Sequence, residues 1–433
     1  MKIRSLLLRP PRPHSPTMKY RYRVLALLSS LSIITFLDRV CISVAGKSIQ
    51  EDLGFTLEQW GWILGAFVFS YGLFEIPSGA LGDRIGPRRV LARIVVWWSV
   101  FTALTGAMRS FWPLALTRFF FGMGEAGAYP NSSVAISRWF PVVERAKAQG
   151  VVWMCSRLGG VLAPLLVIPI QHAYGWRACF YIFGAVGVVW AAVWYAWFRD
   201  RPEEKAGISQ EELAEIGTTG EKDPSHGLPW RTVLRQPNLW WILLMYHAYA
   251  WCGFFFLTWL HTFLQNGRGF TRQDLVSYSW LPFAFGACAN LAGGFASDAL
   301  VRRLGLKWGR RLIGCGAYAV TALLLVATIC TTDKYLTVLF LALAYGCSDF
   351  ALPTAWAVCL DVGGKHAGSV TGAMNTAGQI GSFLTTVLFG YIVTAFGSYN
   401  APLVPIAIMS VIASLAWLKI DATRPLIPAG APE

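Results

Sequence analysis

Residues 111 to 140 read FWPLALTRFFFGMGEAGAYPNSSVAISRWF and are followed by Pro141. The stretch is a long apolar run that nevertheless carries Arg118 and Glu125. On a helix rising about 1.5 Å per residue, these two lie roughly 10.5 Å apart along the axis and, at seven residues' spacing, on nearly the same face. A charge near the bilayer centre costs about 2.5 to 3.5 kcal/mol on insertion scales, so it normally faces a polar interior path and a partner. The rest of the chain is expected to build that path.

Composition agrees with a membrane setting. Apolar residues make up 55% of the chain and charged residues 14%, with 20 Trp and 27 Phe spread over many blocks, which excludes a soluble domain. Apolar runs of about 20 residues, each long enough to cross ~30 Å of hydrocarbon, predict spans over 24–46, 60–81, 90–108, 112–138, 146–169 and 177–198. A second set is predicted over 238–264, 275–297, 311–330, 335–360, 367–393 and 399–418. The fold expected is therefore an all-α membrane protein of twelve transmembrane helices in two six-helix halves.

Loop charge tests that count. With the N-terminus in the cytoplasm, most of the 37 Lys and Arg fall on cytoplasmic segments, as the positive-inside rule requires. The net charge of +14 then reflects topology and basic loops facing lipid headgroups, and nucleic-acid binding is not called for. The nine Cys lie almost wholly in apolar spans, with no C-x-x-C pair and no His cluster at metal spacing, so they read as small core residues; no metal or cofactor is expected.

Residues 1–23 form a basic, proline-bearing cytoplasmic arm in which Met18, just before KYRYR, is an alternative start and a transit peptide the other reading. The expected organisation continues with a six-helix bundle over 24–198, a polar cytoplasmic linker over 199–236 with a short amphipathic helix near 209–216, a second bundle over 237–418 and a cytoplasmic tail over 419–433. Both termini thus lie on the cytoplasmic side of a cell inner or plasma membrane, and a monomer is expected.

The first span carries adjacent Asp38 and Arg39, which point about 100° apart on a helix. One can face a central cavity while the other faces a neighbouring helix; a self-neutralising ion pair is the alternative. The second span holds Tyr71 and Glu75 and ends in GALGDRIGPRR, where Gly79 and Gly86 permit tight turning. There Asp83 can cap or pair across the cytoplasmic gap, while Arg84 and Arg88 anchor the inside. Half a chain later the pattern recurs as GGFASDALVRRLG, with Asp298 and Arg302, an internal repeat of the kind transporters of two six-helix halves show.

The spans, the repeated loops and the linker resemble the major facilitator superfamily. More narrowly, FLDRVCISVA, LTRFFFGMGEAGAYPN and HAGSVTGAMNTAGQIGSF resemble its anion/cation symporter family, carriers of hexonates, hexuronates and other organic acids related to the sialic acid and vesicular glutamate carriers. The resemblance covers residues 20 to 420. It implies that Asp38 and Glu125 handle protons, that Arg39 and Arg118 serve coupling or substrate, and that Tyr71 stands at the central site. Asn375 and Gln379, four apart on one helix face, resemble the family's polar positions for substrate hydroxyls.

Arg157, near the middle of span five, is the expected direct anchor, because guanidinium holds a carboxylate bidentately; balancing a core acid is its alternative. Asp349 in span ten is a proton site, a partner for Arg157 or a hydroxyl binder. Glu75, Tyr246, His247, Tyr249 and Trp356 are secondary candidates for the cavity wall.

No nucleophile with its base and no phosphate-binding Gly loop points to an enzyme. The expected function is proton-coupled uptake of a small organic anion, a carboxylate such as a sugar acid, by alternating access. Sodium coupling, exchange transport and a non-transporting sensor of such a ligand are the alternatives. Drug efflux is disfavoured because GGVLAPLLV keeps Pro164 without the glycine-proline pattern of efflux carriers.

Overall fold

In hydrocarbon the backbone has only itself to bond to, so apolar segments of this length fold as helices. The computed structural model describes residues 18–216, 233–363 and 367–426. The first half runs through α1 (Tyr20–Val44), α2 (Gly46–Leu53), α3 (Leu57–Ile85), α4 (Pro87–Ala107), α5 (Phe111–Glu125), α6 (Ala128–Trp139), α7 (Val142–Tyr174) and α8 (Trp176–Trp197). After the short linker helix α9 (Gln210–Ile216), the second half holds α10 (Pro237–Thr258), α11 (Arg272–Tyr278), α12 (Leu281–Cys330), α13 (Lys334–Gly363), α14 (Ala367–Phe396) and α15 (Leu403–Lys419).

Eight helices among the described residues are long and apolar enough to cross a membrane. One of these segments, Arg272–Cys330, holds two crossings that turn at Gly305, whose φ of 78° breaks the helical path. With α3, the α5–α6 pair and the 17-residue α15, the described residues supply the twelve crossings expected from the sequence.

Span four differs from the continuous helix expected over 112–138. The helix stops after Glu125: Ala126 is extended at ψ 132° and Gly127 is left-handed at φ 92° before α6 begins. A Cβ on Gly127 would stand 2.4 Å from that of Ser78, so the break lets this backbone lie against α3. It also leaves the Glu125 carboxylate at a helix end beside the cavity.

In the first half α1 packs on α7, α3 on α5 and α4 on α8; in the second, α10 lies against α14 and α15, and α12 against α13 and α15. The halves meet through α3 with α14, α7 with α12 and α1 with α10. These contacts are tight at the end remote from the linker. There Ser43 Oγ donates to the Thr258 carbonyl at 2.9 Å, Trp62 Nε1 to the Tyr391 hydroxyl at 3.0 Å, and a Cβ on Gly61 would lie 3.1 Å from the Val387 carbonyl.

At the linker end α9 is tied to the start of α1. The Glu212 carboxylate accepts from the Tyr20 and Arg21 amides at 3.1 and 2.9 Å, using two N–H groups that the first turn of α1 leaves unbonded. Lys19 and Arg21 both reach Glu215 at 2.6 Å.

Candidate functional site

Between the halves lies a cavity of about 650 Å³ whose lining comes from α1, α3, α6, α7, α10, α13 and α14. The wall runs from Arg39 and Tyr71 towards Gln149, Leu360 and Gly372, residues near the linker ends of their helices. The other end is the closed one described above.

Arg39 stands on the cavity wall and donates from Nε to the Glu125 carboxylate at 2.5 Å. Its guanidinium lies 4.6 Å from the Tyr71 ring centroid and 5.3 Å from that of Phe36. Its Nη2 is buried without a hydrogen-bond partner, as is Glu125 Oε2. Buried polar atoms are rarely left so.

Asp38 turns away from the cavity, as adjacency to Arg39 on one helix requires. It is 2% exposed, with Trp98 beside it and Arg118 as its neighbouring cation. Arg118 is equally buried, packed over the Phe121 and Phe67 rings at 4.3 and 5.2 Å, and is not on the cavity wall. Glu125 thus serves the wall through Arg39, while Arg118 sits behind it within electrostatic reach of both Glu125 and Asp38.

Arg157 lines the cavity from α7 and grips Asp349 of α13 in a two-point fork, Nε to Oδ2 at 2.6 Å and Nη2 to Oδ1 at 3.1 Å. Asp349 is fully buried and also accepts a longer bond from the Tyr249 hydroxyl at 3.5 Å. The pair joins the halves in the middle of the protein. Arg157 stands 5.5 Å from the Phe36 centroid, so that ring lies under both wall guanidinium groups.

Glu75 and Asn375 also meet across the halves, the amide donating to the carboxylate at 2.6 Å, and both line the cavity with Gln379. Tyr246, Tyr249 and Trp356 are on the wall too. His247 is not: Nδ1 lies 3.1 Å from the Ala377 carbonyl and Nε2 accepts from Trp251, so it ties α10 to α14.

Of the loop residues, Gly86 has φ 96° at the α3–α4 turn, and the Arg88 amide donates to Asp200 at 2.9 Å. The side chains of Asp83 and Arg84 and the surroundings of Gly79 lie outside the described residues. In the second half Asp298 is 3.5 Å from Arg310, which also reaches Asp361 at 3.2 Å, and Arg302 is exposed.

Sequence reasoning passed over Phe36, Tyr129 and Trp153. Tyr129 and Trp153 stack at 4.5 Å on the wall, and Trp153 meets Trp356 at 5.8 Å across the halves. Phe36 was within reach, since it lies three residues before Arg39 and so on its face of α1.

Residues 28–386 match the profile of the Major Facilitator Superfamily. The "Probable sulfoacetate transporter SauU" of Cupriavidus necator is 32% identical over 420 residues, 96% of this chain and 96% of that protein. The "Hexuronate transporter" of Bacillus subtilis is 30% identical, covering 95% of this chain and 97% of its own length, and the "Probable L-galactonate transporter" of Escherichia coli 28% identical, covering 90% and 87%. Among solved structures, an inward-facing, occupied bacterial homologue of the human lysosomal transporter Spinster aligns with a TM-score of 0.72. It is 22% identical and covers 94% of this chain and 96% of that one, a likeness of fold.

Proposed function

The chain belongs to the major facilitator superfamily of membrane transporters, and from that premise we propose that it takes up a small organic anion together with protons by alternating access. The observation that carries the reading is the pair of guanidinium groups, Arg39 and Arg157, on the wall of a cavity otherwise lined largely by aromatic and small residues. Guanidinium binds carboxylate and sulfonate oxygens with two directed N–H groups, and an apolar surround strengthens the attraction. Relatives named for sulfoacetate, hexuronate and galactonate transport support the same class of cargo.

Coupling follows from competition. Glu125 accepts a hydrogen bond from Arg39. A proton on Glu125 weakens that hold and frees the guanidinium for the substrate anion, so that loading neutralises the site. Asp38, buried beside Arg118, is the second carboxylate of the relay. Asn375 and Gln379 serve substrate hydroxyls, and Tyr71 backs the Arg39 seat. Rocking of the two halves then exposes the cavity to the other side.

The linker end lies in the cytoplasm by its basic residues, among them Arg88, Arg138, Arg145 and Lys147. In that orientation the conformation described here is open inward. The protein works as a monomer in the cell's inner or plasma membrane, and Gly79, Asp83, Arg84, Gly86, Arg88, Asp298 and Arg302 mark its gating loops.

The test is substrate-dependent alkalinisation of the outside medium by proteoliposomes given an organic acid. Proton uptake that follows the anion supports the reading; anion uptake with no proton movement, driven instead by sodium or by counter-anion, replaces it.

A further inference from the structure

We infer that the cargo carries two anionic groups, one for Arg39 and one for Arg157; this rests on the anion-transport reading and goes beyond it by fixing the substrate's charge pattern. Four observations carry it. Both guanidinium groups line one cavity, and both stand over the same ring, 5.3 and 5.5 Å from the Phe36 centroid, so the span between them suits one small molecule. Each is balanced from behind by a carboxylate that is not itself on the wall, Glu125 and Asp349.

Each also keeps donors free. Arg39 Nη2 is buried without a hydrogen-bond partner, and the Asp349 fork takes Nε and Nη2 of Arg157, leaving Nη1 outside that fork. Finally, Glu75, the acidic residue of the wall, is held by the Asn375 amide at 2.6 Å and, though within electrostatic reach of Arg39, makes no hydrogen bond to either guanidinium among the described residues. A cargo with one anionic group fills one such seat and leaves the other to its resident carboxylate. One with an anionic group at each end fills both, bridging α1 and α7 above Phe36.

The consequence is selectivity between molecules that differ at one end only. Galactarate and L-galactonate share a six-carbon hydroxylated chain and differ by a carboxylate against a hydroxymethyl group. The experiment measures equilibrium binding of these two, together with sulfoacetate and gluconate, to the full chain in lipid nanodiscs. Wild type is expected to bind galactarate and sulfoacetate at least tenfold more tightly than the one-headed pair. In Arg157→Gln the loss for the two-headed probes should exceed that for the one-headed probes by at least tenfold.

Because that variant strands Asp349 in the core, Arg157→Gln combined with Asp349→Asn is measured beside it and should show the same split. Equal wild-type affinity for both classes overturns the inference while leaving anion transport standing. An equal loss for all four probes in both variants also overturns it, giving Arg157 a packing role. Absence of any binding or transport of the four by wild type removes the anion reading and this inference together.

Discussion

The guanidinium of Arg157 and the carboxylate of Asp349, 192 residues apart in sequence, meet in a buried fork that joins the two halves at 2.6 and 3.1 Å. Removing one partner of such a pair leaves an uncompensated charge in the core, whereas replacing both by apolar groups is often neutral. Asp349→Ala is expected to destabilise the protein by about 3–5 kcal/mol. Arg157→Met combined with Asp349→Leu should recover most of that loss. Thermal unfolding in detergent reads these variants and Arg157→Met alone; a double-variant loss equal to the sum of the two single losses would show that the two charges do not depend on each other.

Closure at the end remote from the linker rests on small residues. A Cβ on Gly65 would lie 2.6 Å from Val387 Cγ2, close enough that cysteines at both positions reach disulfide geometry. Oxidised Gly65→Cys/Val387→Cys is expected to retain anion binding from the linker side and to lose transport, and reduction should restore it. Undiminished transport in the cross-linked form would show that these surfaces never part.

Helix approach sets a second dependence on glycine. A Cβ on Gly293 would fall 1.9 Å from the Phe350 carbonyl, a backbone atom that cannot swing aside, while one on Gly316 of the same helix α12 meets nothing within 4 Å. Gly293→Ala is expected to destabilise by about 1–3 kcal/mol. Gly316→Ala should be neutral or gain up to about 1 kcal/mol from helix propensity. The paired unfolding midpoints in detergent check the contrast.

The linker helix should respond to pH. Hydrogen bonds from Lys19 and then Arg21 hold Glu215 below the ordinary glutamate value of 4.5. A depressed carboxyl gives stability that is present above its unfolded value and is lost as pH falls through the folded one. Protection of the α9 amides, measured against the intrinsic exchange rate at each pH, should therefore be high at neutral pH and fall below about pH 4.5, with Glu215→Gln weakly protected throughout. Protection that ignores both pH and this substitution would show that Glu212 alone fastens α9.

Much of the architecture could be read from the chain because ~30 Å of hydrocarbon demands about 20 apolar residues per crossing, and basic loops fix the alternation. The break after Glu125 was not, since apolar character runs straight through it; the signal was the spacing of Gly124, Gly127 and Pro130, where a left-handed turn and a helix start fit. Adjacent Asp38 and Arg39 had to diverge, but which of them faces the cavity depends on how α1 packs. Arg118 and Glu125 share a helix face and stay within electrostatic reach of each other, yet only Glu125 has Arg39 of α1 as a hydrogen-bond partner. The grip of Arg157 on Asp349 joins spans five and ten, and no local pattern encodes a contact between halves.

The measurement closest to the central claim is uptake of a labelled organic anion by proteoliposomes, with and without an inward proton gradient, for wild type and Glu125→Gln. Wild type should accumulate the anion only when the gradient is imposed. Glu125→Gln, which cannot exchange a proton at the Arg39 seat, should lose accumulation yet still exchange internal for external anion. Gradient-driven accumulation that survives Glu125→Gln would contradict the coupling role given to this carboxylate, and wild-type uptake indifferent to the gradient would contradict proton symport itself.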